Sequence, residues 1–151
     1  MATHALGPIV PFDVELIREG TLTGIEVASQ DFSAGALLIN SSGSLVEASA
    51  DPTAARGLAV RAASGVTGKV AEYWPIKAGR LYEASFQGTI AQSDINSNVG
   101  TVVGDNTNYW VLDPDETEDI CQVVALARGC AIGDVNPRVL ITFDAANVEG
   151  A

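Results

Sequence analysis

Cys130-Ala131-Ile132-Gly133-Asp134-Val135-Asn136-Pro137-Arg138-Val139-Leu140-Ile141-Thr142-Phe143 decides the fold class. A cluster of turn residues leads straight into an apolar run in which Val139, Ile141 and Phe143 point the same way, the period of two expected of a half-buried strand. The same grammar, a short apolar strand followed by a turn cluster, repeats back through the chain. Ile120–Ala127 and Tyr109–Leu112 are strand-like. In Leu81–Phe86, Tyr82, Ala84 and Phe86 face one side and Glu83 and Ser85 the other. A bend over Pro75–Arg80 separates this run from Lys69–Ile76, where Val70, Glu72, Trp74 and Ile76 oppose Ala71 and Tyr73.

Further back, Gly57–Ala62 alternates Leu58 and Val60 against Ala59 and Arg61. Ala36–Ile39 turns through Asn40-Ser41-Ser42-Gly43 into Leu45-Val46, a hairpin. Thr21–Ser29 sets Thr23, Ile25 and Val27 against Leu22, Glu26 and Ala28. Asp51-Pro52 pairs an N-cap residue type with a proline at the first helical position, which predicts one helical turn there. Ser93–Asn98 predicts a capped turn or very short helix. About nine or ten short strands with turns at this spacing predict an all-β single-domain barrel or sandwich with one or two short helical turns. Pro8 and Pro11 hold the start of the chain extended, so residues 1–20 read as an amino-terminal arm and 21–151 as the β domain.

Composition agrees. Of 151 residues, 47% are hydrophobic, enough for a core, while only 18% are charged and 15 are glycine. The net charge of −11 argues against nucleic acid and against anionic membranes as partners, because both are bound through clustered Lys and Arg. No stretch approaches the roughly 20 apolar residues of a spanning helix, and the first residues lack a secretory signal pattern. The expectation is a soluble protein made in a cytosol. Cys121 and Cys130 have neither a redox nor a four-ligand zinc spacing and are expected to be reduced thiols.

Catalytic chemistry is sparse. His4 is the single histidine and lies in the arm, which argues against triad hydrolases and histidine-based metal centres. Gly65-Val66-Thr67-Gly68-Lys69 imitates a phosphate loop, but Ala63 stands where its first glycine belongs and Val70 follows the lysine. Asp113–Asp119 carries five carboxylates, which reads as a solvated loop before a cation site. Glu72 and Glu83, flanked by Tyr73, Trp74 and Tyr82, could form the carboxylate pair of a small glycosidase only if their strands brought them face to face. No catalytic, cofactor or metal-binding residues are assigned. Trp74 and Trp110 fit core positions or interface anchors.

The stretch Gly57–Phe143 resembles the head decoration, or capsid cement, proteins of tailed bacteriophages. The resemblance rests on an ordered series: Gly57-Leu58-Ala59-Val60-Arg61-Ala62-Ala63; Lys69-Val70-Ala71-Glu72-Tyr73-Trp74-Pro75 with Gly79-Arg80-Leu81-Tyr82-Glu83-Ala84; Ala91-Gln92-Ser93-Asp94-Ile95 before Val99-Gly100; Tyr109-Trp110-Val111-Leu112-Asp113; and Ile132-Gly133-Asp134-Val135-Asn136-Pro137-Arg138-Val139. Pro137 replaces a glycine of that pattern, and residues 1–50 match none of it.

The resemblance implies a structural virion protein, not an enzyme, without cofactor. It would be made in the host cytoplasm and sit on the outer surface of the capsid. Its partners would be the major capsid protein and copies of itself, as a homotrimer. Pro8, Ile9, Val10, Pro11 and Phe12 of the arm, with Trp74 and Trp110, are the candidate interface residues. A tail-tube or fibre subunit and a small carbohydrate-binding β-module are the alternatives.

Overall fold

The structure is a computed structural model and describes residues 1–27, 29–104, 109–115 and 118–149. Its strands are β1 (Val10–Pro11), β2 (Leu22–Ile25), β3 (Leu37–Ser41), β4 (Ser44–Glu47), β5 (Gly57–Ala59), β6 (Val70–Pro75), β7 (Tyr82–Ser85), β8 (Asn98–Val103), β9 (Trp110–Asp113), β10 (Cys121–Leu126) and β11 (Arg138–Phe143). One α-helix, α1 (Val14–Glu19), and two 3₁₀ turns, Gln92–Asp94 and Ala145–Asn147, complete the elements. The protein is all-β.

Two antiparallel sheets are formed. One has the order β1-β7-β11-β10-β8-β9 and the other β2-β6-β5-β3-β4. In the first, β11 is central: it pairs with β10 on one side, across a bulge between Val123 and Ala125, and with β7 on the other. A Phe86–Leu112 bridge brings β9 back to the end of β7 and curls this sheet into a half-barrel. A Glu26–Leu45 bridge likewise draws together the outer strands of the second sheet. The strands need this curvature because their inward faces are largely apolar and must meet. Val139, Ile141, Phe143, Tyr82, Ala84 and Phe86 are all buried, as their alternation predicts, and belong to one core with Leu37, Leu58 and Tyr73 of the second sheet. Tyr82 meets Phe143 edge to face at 5.2 Å between ring centres, a favoured aromatic geometry.

Three local outcomes differ from the sequence reading. The helical turn expected at Asp51-Pro52 does not form: Asp51 has φ of 55°, outside the extended range of an N-cap. The N–H groups of Asp51 and Ala55 are taken by Thr101 and Asn147 carbonyls. The helix is instead α1, within the segment read as arm. Asp13 caps it by accepting the Glu15 N–H, Glu15 and Arg18 suit its two ends, and Gly20 (φ 84°) ends it. Finally, β8 occupies Asn98–Val103, where only a capped turn was read just upstream; that turn is present as the Gln92–Asp94 3₁₀ turn.

Candidate functional site

Residues 130–138 form a seam that ties the amino-terminal arm to the body. The seam is built from both sides. Thr3 bridges Val135 in parallel; the Val135 N–H donates to the Ala2 carbonyl at 2.8 Å and the His4 N–H to the Val135 carbonyl at 2.9 Å. Asp134, only 4% exposed, accepts the Ala2 N–H at 2.9 Å and the Ala131 N–H at 3.0 Å and lies 2.8 Å from His4 Nε2. These contacts, the Ala2 amide first, then His4 and the Ala131 amide, hold its carboxyl down to about 2. Asn136, at φ 54°, turns the chain and accepts the Gly88 N–H.

Arg138 fastens the next part of the arm. Its Nε donates to Glu83 Oε1 at 2.9 Å, Nη1 to Ser85 Oγ at 3.1 Å, and Nη2 to the carbonyls of Pro8 at 2.9 Å and Glu83 at 3.2 Å. Ser85 Oγ in turn accepts the Gly7 N–H. The planar guanidinium fork suits this, since it presents several fixed donors at once. Beyond it, Val10 and Pro11 pair with Glu83 and Tyr82, and Phe12 and Asp13 both donate their N–H to the Leu81 carbonyl.

This arrangement sorts the expected interface residues. Ile9 and Trp110 are each 1% exposed and belong to the core of this chain. Trp110 also donates its indole N–H to Glu47 Oε2 at 2.9 Å. Trp74 is partly buried against the same core, and Pro8 and Pro11 are partly buried along the seam. Val10 and Phe12 remain open, at 37% and 46% exposure. Sequence reasoning missed the rest of the exposed apolar surface. Val14 and Ile17 lie one turn apart on α1, 64% and 49% exposed. Ile25 and Val70 are cross-strand partners on β2 and β6, 49% and 66% exposed. On α1 a signal was in the sequence, Val14 and Ile17 lying off the Leu16 face; β2 carried none, because Leu22 and Ile25, on its opposite faces, are both exposed.

Other sequence candidates resolve into structural roles. The phosphate-loop lookalike is a turn with several amides already engaged: Glu26, 2% exposed, accepts the Ser64 and Gly65 N–H groups with its carboxylate and the Gly68 N–H with its carbonyl. Glu72 and Glu83 sit in different sheets and have separate partners, Arg61 and Thr21 for Glu72 and Arg138 for Glu83. Both cysteines are free thiols; Cys121 is fully buried, and burial pushes its thiol far up. The Asp113–Asp119 loop contains Glu116 and Thr117, which lie outside the described residues. Among the described residues, no helix is long and apolar enough to cross a membrane.

A cleft of about 390 Å³ lies beside Arg56, Tyr73 and Ile76. Gly57 leaves room there for the Tyr73 ring, because a Cβ on it would come within 2.2 Å of the ring. No protein family, curated protein or solved structure matches the chain.

Proposed function

We propose that this protein is a decoration subunit of a tailed-phage head, which binds the outside of the expanded capsid shell and stabilises it without catalysis. The observation that carries the reading is the ordered series of motifs within Gly57–Phe143, joined on one all-β body. Neighbouring exposed apolar side chains supply the contact surface in this reading: Val14 and Ile17 one turn apart on α1, and Ile25 and Val70 paired across β2 and β6. In this reading Phe12, Val14 and Ile17 meet the major capsid protein, while Ile25 and Val70 join copies into a trimer. Many modest contacts of this kind add through multivalency on a repeating lattice.

Co-sedimentation with expanded heads and with unexpanded shells tests the reading. The protein is expected to saturate expanded heads at a fixed ratio to the capsid subunit. Phe12→Ser combined with Ile17→Ser is expected to keep the fold, because exposed substitutions change stability by about 0.5 kcal/mol or less, and to weaken shell binding at least tenfold. Failure to bind either shell would refute the decoration role and favour a tail component.

A further inference from the structure

We propose that His4, Cys130 and Asp134 form a binding site for a zinc-class divalent metal ion, which joins the amino-terminal arm to the β10–β11 connection. One ligand atom from each residue, an imidazole nitrogen, the thiol sulfur and a carboxylate oxygen, can be chosen so that all three lie within 4.8 Å of one another. Tetrahedral zinc, with bonds of about 2.0–2.3 Å, places neighbouring ligands about 3.4–3.6 Å apart. Closing the set needs side-chain adjustments of at most about 1 Å: the His4–Asp134 pair, 2.8 Å apart, opens slightly, and the sulfur draws in.

Two of the residues come from the β10–β11 connection and the third from the arm, and each is held in place. The His4 backbone is fixed by the short ladder to Val135, in which His4 donates its N–H and Ala2 offers its carbonyl. Asp134 is oriented by the amides of Ala2 and Ala131. Cys130 closes the Ala127–Cys130 turn by donating its N–H to the Ala127 carbonyl, and its sulfur accepts the Arg138 N–H at 3.3 Å. Amide donation to sulfur and to the ligating carboxylate is the kind of outer support that metal ligands receive. His4 and Cys130 are only partly buried, which leaves an entry path.

The donor set chooses the metal. Thiolate and imidazole favour zinc and its neighbours over calcium or magnesium, which prefer oxygen. On binding, the Cys130 thiol releases its proton to solvent, the proton on His4 Nε2 is exchanged through water to Nδ1, and the freed Nε2 and Asp134 Oδ2 replace their hydrogen bond with two metal bonds. Thiolate and carboxylate together carry two negative charges, which a divalent ion balances. Three protein ligands leave a fourth position for water. The consequence is a cross-link between residue 4 and residues 130 and 134 that fixes the arm in place.

The test is a titration of the full chain with cobalt(II) chloride in reducing, metal-free buffer, with zinc chloride as competitor. One cobalt per chain is expected, with thiolate-to-cobalt charge-transfer absorption, visible bands of a tetrahedral ion, and loss of both when zinc is added. Cys130→Ser should abolish the charge-transfer band and Cys121→Ala should keep it. His4→Ala should weaken cobalt binding at least tenfold with the far-ultraviolet circular dichroism unchanged. Zinc should also slow hydrogen exchange at the amides of residues 2–7. A wild-type chain without the charge-transfer band, or a band that survives Cys130→Ser, would overturn the site. Unchanged affinity in His4→Ala, or unchanged exchange in the arm, would overturn the link between metal and arm.

Discussion

Replacing Arg138 should release the arm and cost a substantial part of the stability. Arg138→Met keeps most of the side chain's apolar stem but removes four hydrogen bonds: one to the Glu83 carboxylate, one to Ser85, and two to the Pro8 and Glu83 carbonyls. A bond to a charged group contributes about 1.5–3 kcal/mol, and a buried carbonyl left without a donor costs about 1–3 kcal/mol. The full sum overstates the loss, because the Arg138 and Glu83 side chains are 20% and 28% exposed, so water takes up part of the vacated bonding. The expected loss is about 3 kcal/mol, or a fall in Tm of roughly 6–12 °C for a chain of this size. Arg138→Lys retains the charge but not the fork and should lose about half as much. Urea unfolding gives the energy, and hydrogen exchange at the Gly7 amide, which donates to Ser85, shows whether the arm has loosened. A loss under 1 kcal/mol in Arg138→Met, or unchanged protection at Gly7, would refute the idea that Arg138 holds the arm.

Glu26→Gln places an amide NH₂ in a pocket lined by the Ser64 and Gly65 donors, so urea unfolding should show a loss of about 2 kcal/mol; a change under 0.5 kcal/mol would refute that role. Burial raises the Tyr82 hydroxyl to about 12 from 10, so the unfolded chain ionises first. Its contribution should be fully present below pH 10 and fall by at most about 2–3 kcal/mol as pH rises from 10 to 12. Unfolding midpoints measured across that window check it, and a window as steep in Tyr82→Phe as in the wild type would show that another group titrates.

The strand pattern was legible wherever one face met the core and the other met water. Tyr82, Ala84 and Phe86, and Val139, Ile141 and Phe143, are buried as their alternation predicts. The pattern failed where both faces are covered. Val99, Gly100 and Thr101 of β8 are all buried, so no alternation marks them. Thr101 even carries a buried hydroxyl without a hydrogen-bond partner among the described residues. The helix α1 was hidden by a competing signal. Pro8 and Pro11 dominated the reading, although Asp13, Glu15, Arg18 and Gly20 carry a complete set of start and stop residues. The seam could not be read at all. Asp134 and Arg138 look like turn and strand punctuation until the fold brings residues 2–8 across them, more than a hundred positions away in sequence.

Fixing the arm bears directly on the proposed mechanism. A free arm that docks a neighbour must be ordered at the moment of binding, and ordering backbone costs about 1–2 kcal/mol per residue. Here Ala2, His4, Gly7, Pro8, Phe12 and Asp13 already bond to their own body, ending with the Phe12 and Asp13 amides on the Leu81 carbonyl. Phe12 is therefore presented from a fixed backbone, next to a helix whose start Asp13 caps. Preorganised contact surface retains more of its burial energy as affinity than a segment that must order on docking. A subunit that stabilises a shell works only if its own frame does not yield first. The seam from Asp134 to Arg138 provides that stiffness at the base of the exposed apolar surface.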